Sequence, residues 1–113
     1  MKENLIMEIY CKNKLLLDKA IEYANTLEIS AIPSVIYIKR LPPSFTQQGL
    51  MEHPRILEKK PYINIFLKLN KERYITLAHE MIHVKQYLKG EEICETEAYL
   101  REKTLDNNHQ KRL

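Results

Sequence analysis

Five consecutive residues, His79-Glu80-Met81-Ile82-His83, combine two side chains that bind metal ions with one that can move a proton. On a helix the two histidines stand at i and i+4, about 40° apart around the axis, so both imidazoles leave one face. That spacing lets two neutral ring nitrogens reach one Zn²⁺ at roughly 2.0–2.1 Å each. Glu80 lies too far round the helix to be a natural third ligand. It is placed to act as the general base toward an attacking water. Two surface histidines on a solvated helix give the same pattern, so the flanks have to decide. Thr76, Leu77, Ala78, Met81, Ile82 and Val84 are uncharged, which puts the pair on a dry helix face. No Pro or Gly interrupts residues 72–89, and a Glu-x-x-Ala segment, Glu95 to Ala98, follows just beyond Gly90. The residues therefore favour a zinc site.

The elements that must position these groups are read from periodicity. Leu5 to Tyr10 reads as a first strand. Lys12 to Leu27 reads as an amphipathic helix, with a stripe of Leu15, Leu16, Lys19, Ala20, Tyr23 and Leu27 and Asn13 as its cap. Val35 to Lys39 is a second strand, and Tyr62 to Leu69 is the clearest, with Ile63, Ile65, Leu67 and Leu69 facing one way. Between them, residues 41–60 carry Pro42, Pro43, Gly49 and Pro54 and predict a long irregular connection, either a flap beside the metal cleft or a plain surface excursion. Asn70 is the expected N-cap of the motif helix and Gly90 its left-handed stop. Glu91 to Leu105 predicts a last helix, and residues 106–113 a flexible tail, leaving one domain over residues 1–105.

A catalytic zinc ordinarily takes three protein ligands. The Gly90 turn folds the last helix back along the motif helix. His83 lies seven residues before Gly90, about 10 Å along the axis. Glu95 lies five residues after it and Glu97 seven after, so both return near the height of His83. Height slightly prefers Glu97, and the two sit on opposite edges of the Cys94–Ala98–Leu105 stripe, so one alone can point at the metal. His53 and His109 are weaker candidates, each in a polar setting.

Composition narrows the class. The chain has 113 residues, 44% hydrophobic and 29% charged, with a net charge of +3. Residues 1–70 hold ten Lys/Arg against seven Asp/Glu, and residues 71–113 hold eight against eight, so no basic face points to nucleic acid. Cys11 and Cys94 stand 83 residues apart without a C-x-x-C partner, which suits a reducing compartment. No apolar run approaches the ~18 residues of a membrane span, and residues 1–8 do not read as a signal peptide. The expectation is a cytoplasmic protein that engages neither membrane nor nucleic acid.

The chain resembles gluzincin-type zinc metallopeptidases, in particular the very small minigluzincins and the compact H-E-x-x-H proteins of phages and mobile elements. The matching residues are Leu77-Ala78-His79-Glu80-Met81-Ile82-His83-Val84-Lys85-Gln86-Tyr87 and Glu95-Thr96-Glu97-Ala98-Tyr99. The resemblance implies an α+β, zincin-like domain: a small, mostly antiparallel sheet packed by an N-terminal helix, the active-site helix and a C-terminal glutamate helix. It also implies Glu95 as the third ligand, with Ala98 permitting close helix approach and Glu97 orienting a histidine. Gln86 and Lys89 stand where a metzincin would have Gly and a third His.

Two functions follow as expectations. In the first, Zn²⁺ on His79, His83 and Glu95 serves a peptidase in which Glu80 is the general base and the substrate is a peptide or protein. Tyr37, Tyr87 and Tyr99 are then candidate phenols for the developing oxyanion, and an exposed strand edge could hold the substrate. In the second, the metal stabilises a protein-binding module without turnover, with Cys94 the residue to watch as a closing ligand. Retention of Glu80 favours catalysis.

Overall fold

The strands form one mixed sheet in the order β1-β2-β4-β3, built from β1 (Met7–Tyr10), β2 (Ser34–Arg40), β3 (Gly49–Glu52) and β4 (Tyr62–Leu67). Three helices complete an α+β fold: α1 (Lys14–Thr26), α2 (Arg73–Leu88) and α3 (Glu95–Lys111). The computed structural model describes residues 6–111, with side chains up to 106, so Leu5 of the expected first strand and Arg112 and Leu113 of the expected tail lie outside the described residues.

Two of the three strand pairings are parallel, which corrects the mostly antiparallel expectation. β1 pairs with β2 in parallel, and β2 with β4, while the β3–β4 pairing alone is antiparallel. The cause lies in the connection. α1 carries the chain back along the sheet after β1, so β2 must start again from the same end. Asn13 fixes where that helix begins, its side-chain oxygen accepting the Leu16 N–H at 3.1 Å.

Strand alternation sorts the two sheet faces. Ile36, Ile63, Ile65 and Leu67 are fully buried, and Leu16, Ala20 and Tyr23 of α1 and Leu77, Met81 and Ile82 of α2 join the same core. On the other face Tyr10, Tyr37 and Tyr62 stack in a row, with centroids 5.3 and 6.2 Å apart.

Three further expectations are revised. Residues 41–60 are not irregular throughout: β3 pairs Gly49–Glu52 with β4 and forms the free edge of the sheet beside α2. Asn70 does not cap α2 directly. Its side-chain oxygen accepts the Glu72 N–H at 3.0 Å, closing a turn just before the helix. Residues 106–111, expected beyond the last helix, belong to α3, which continues to Lys111. There the buried Tyr23 hydroxyl donates to Asp106 at 2.9 Å, and the Lys19 ammonium lies 3.5 Å from the same carboxylate. Helical periodicity of apolar residues cannot register a polar anchor of this kind. Among the described residues no helix is long and apolar enough to cross a membrane.

β3 lies close against α2 at Gly49. A Cβ there would stand 2.6 Å from the Thr76 methyl and 3.0 Å from the Phe66 carbonyl oxygen. Thr76 is β-branched and has little room to turn away. Gly49→Ala is therefore expected to destabilise the fold by about 1–3 kcal/mol, read from urea unfolding, whereas an unchanged midpoint would mean that β3 stands off from the helix.

Candidate metal centre

α2 places His79 and His83 on one face, their rings edge-to-face with centroids 4.8 Å apart. The helix stops at Gly90, whose φ of +72° is the left-handed conformation a glycine adopts without strain. Residues 91–94 turn, and α3 begins at Glu95, four residues later than the sequence pattern suggests. Glu95 Oε1 then lies 3.0 Å from His79 Nε2 and 3.2 Å from His83 Nε2. One ligand atom from each of these three residues falls within 4.8 Å of the others, a cluster that could hold a metal ion. Ligands placed tetrahedrally around a Zn²⁺ at about 2.05 Å stand roughly 3.3 Å apart, close to these separations.

Hydrogen bonds behind the rings decide which atoms face the centre. The Gln86 amide donates through Nε2 to the Cys94 carbonyl at 3.0 Å and to Glu97 Oε1 at 2.8 Å, two groups that can only accept. Its Oε1 therefore faces the Cys94 N–H at 3.1 Å and His83 Nδ1 at 2.8 Å, which makes Nδ1 the proton-bearing nitrogen of His83. His79 Nδ1 lies 2.7 Å from the carboxylate of Glu102 and donates to it in the same way. In the neutral rings both Nε2 lone pairs then point at an oxygen of Glu95, itself an acceptor. Three acceptors at such distances repel unless positive charge lies among them. A single divalent cation satisfies all three atoms, so the donor set fits a metal.

Glu80 completes the site. It is 6% exposed, and among the described residues its carboxylate has no hydrogen-bond partner. Burial pushes its pKa above the usual carboxylate range, helped by the charges of Glu95 and Glu102 and opposed by His79 and His83. Burial acts the same way on Glu95, but there His83 and His79 outweigh it and the carboxyl falls below its ordinary value. Two hollows meet at Gly49, Glu80 and Glu95. One of about 260 Å³ extends past Leu50, His53 and Ile93, and one of about 540 Å³ past Gln47, Thr76 and Tyr99. Together they form a cleft with β3 along one wall.

The structure thus brings His79, His83, Glu95 and Glu80 together and keeps Glu97 out of the cluster. Glu97 does not touch a histidine, contrary to the expected role. It accepts from Lys85 at 2.6 Å, Gln86 at 2.8 Å and Arg101 at 3.0 Å, and these bonds hold its pKa down at about 2, the Lys85 contact first. The orienting groups are Glu102 and Gln86, both missed in the sequence. Helical spacing carried the signal: Glu102 is seven residues from Glu95 on α3, and Gln86 is three from His83 on α2. Cys94 Sγ accepts the Glu97 N–H at 3.5 Å at the start of α3 and is not part of the cluster. His53 lines the cleft, stacked on Tyr87 at 4.2 Å, and is likewise not a member. The His109 side chain lies outside the described residues. Of the three tyrosines, Tyr99 packs against His79 at 4.8 Å, Tyr87 donates to the Ile56 carbonyl at 3.4 Å, and Tyr37 belongs to the open sheet face.

The chain matches no family model, no curated protein and no solved structure.

If Glu102 and Gln86 fix the ring tautomers, then Glu102→Ala and Gln86→Met each weaken metal binding by about 10–100-fold, measured by competition with a chromophoric chelator. Tyr99→Phe, which leaves both Nδ1 contacts intact, is expected to bind as the wild type. Equal affinity in all four proteins would remove the orienting role.

Proposed function

We propose that this chain is a zinc-dependent peptidase of the gluzincin kind with a zincin-like fold, in which His79, His83 and Glu95 hold the metal. The observation that carries the reading is Glu80, a buried carboxylate without a hydrogen-bond partner among the described residues, opening onto the cleft beside the cluster. A structural metal site has no use for such a group. Burying it without compensation costs stability, and that cost has a purpose if Glu80 must exchange a proton.

A bound Zn²⁺ would act as a Lewis acid that polarises a peptide carbonyl and makes water a better nucleophile near neutral pH. The rest falls to the chain. Glu80, basic through burial, takes the proton from the attacking water and delivers it to the leaving amine nitrogen, so the carboxylate is regenerated at each turnover. Glu102 and Gln86 keep both Nδ1 protons in place, so that the Nε2 lone pairs stay directed at the centre. β3 is an edge strand along the cleft, and its free backbone groups can pair with an extended peptide, which favours a polypeptide substrate.

The purified chain is expected to carry one zinc by elemental analysis, to lose it in Glu95→Ala and to keep it in Glu97→Ala. Glu80→Gln should retain the metal while hydrolysis of a mixed peptide library falls about 10²–10⁴-fold. Absence of zinc after reconstitution, or turnover that survives Glu80→Gln, would overturn the proposal.

A further inference from the structure

A cavity of about 690 Å³ opens at the edge of the sheet where β1, β2 and β4 end, on residues distinct from those of the metal cluster. α1 leaves from that end of β1, so Asn13 and Leu16 meet the strand ends there and line the cavity with them. Leu16, Ile38 and Leu67 form a buried apolar floor, and Leu69 widens it. The volume falls within the ~300–1,000 Å³ common for small-molecule sites.

Charge around the mouth is one-sided. Lys12, Lys39 and Arg40 line it, and no Asp or Glu does, although the chain holds fifteen. Among the described residues neither Lys12 nor Arg40 forms an ion pair. The Lys39 ammonium rests over the rings of Tyr37 and Phe66 at 5.5 and 5.8 Å, without a carboxylate. Glu8 does bond a lining side chain, accepting from the Tyr10 hydroxyl, but its charge is met by Lys60 at 2.6 Å. Among the described residues, Lys12 and Arg40 are two cations without a carboxylate beside an apolar floor, and they complement a molecule with an anionic head and an apolar body. Between β2 and β4 the backbone at this end is already paired, as in the Leu41 N–H to Leu67 carbonyl bond of 2.8 Å, so an extended peptide finds nothing to add to there.

We propose that this cavity binds a small amphiphilic carboxylate, an apolar aliphatic or aromatic body seated on Leu16, Ile38 and Leu67 with its carboxylate held by Arg40 and Lys12. An arginine fork suits that head group, because it can offer two parallel N–H donors to one carboxylate.

The test is calorimetric titration of the full chain with decanoate, with decanol and with an acidic, leucine-containing peptide, accompanied by amide NMR. Decanoate is expected to saturate at one per chain below its micellar concentration and to shift the amides of Leu16, Ile38 and Leu67. Decanol should bind at least tenfold more weakly. Lys12→Glu with Arg40→Glu, both at exposed positions, should weaken decanoate at least tenfold with an unchanged circular dichroism spectrum. Arg40→Gln reports the loss of the fork if the double variant does not fold. No saturation, equal binding of decanol, or indifference to the charge changes would each overturn the proposal. Binding of the peptide in place of decanoate would overturn it in favour of a protein partner. Zinc content and peptidase activity have no bearing on these outcomes.

Discussion

Glu95 reaches the two histidines because α3 is folded back against α2, and the buried Gln86 amide holds that hairpin closed. Every polar valence of this side chain is engaged: it bonds both backbone groups of Cys94, the carboxylate of Glu97 and the ring of His83. A fully satisfied amide in a low-dielectric setting specifies one arrangement, since any shift leaves a buried donor or acceptor without a partner. Closing the hairpin and choosing the tautomer of His83 are thus one event. Lys85 adds a second tie to the same turn, bonding Glu91 and Glu97 from the motif helix.

The sheet contributes the other wall. Its apolar face supports α2 through Ile63, Ile65 and Leu67, and its antiparallel edge strand lies against the helix at Gly49. The close approach there sets the width of the cleft over Glu80. Buried polar groups are concentrated where α2 meets α3, whereas α1 and the sheet supply a largely apolar core that the Tyr23–Asp106 hydrogen bond ties to α3. Rigidity and chemistry are therefore served by different layers of a small domain.

Much of this was legible in the residues. Strand β4, the two longer-range helix patterns, the Asn13 cap, the Gly90 stop and the pairing of the His79–His83 face with a carboxylate of the last helix follow from period and spacing. Choosing Glu95 over Glu97 did not follow from spacing, because helical height favoured Glu97 slightly. The choice depends on where α3 starts, and that is set by the Gln86 contacts to Cys94, a tertiary effect. Parallel pairing was hidden because strand patterns do not encode direction. β3 was hidden because Gly49-Leu50-Met51-Glu52 has neither β-branched residues nor clear alternation, and its neighbours stabilise it as a strand. Asp106 was hidden because its contacts with Tyr23 and Lys19 are polar and fall where the helix has no further apolar stripe.

The proposed centre holds its metal by two imidazoles and one carboxylate, with a position left open. X-ray absorption at the zinc edge of the loaded full chain measures this directly. Light-atom ligands alone at about 2.0–2.1 Å, with the outer-shell scattering of two imidazoles, are the expected result. A sulfur shell at about 2.3 Å would place Cys94 on the metal, close the open position and contradict that arrangement.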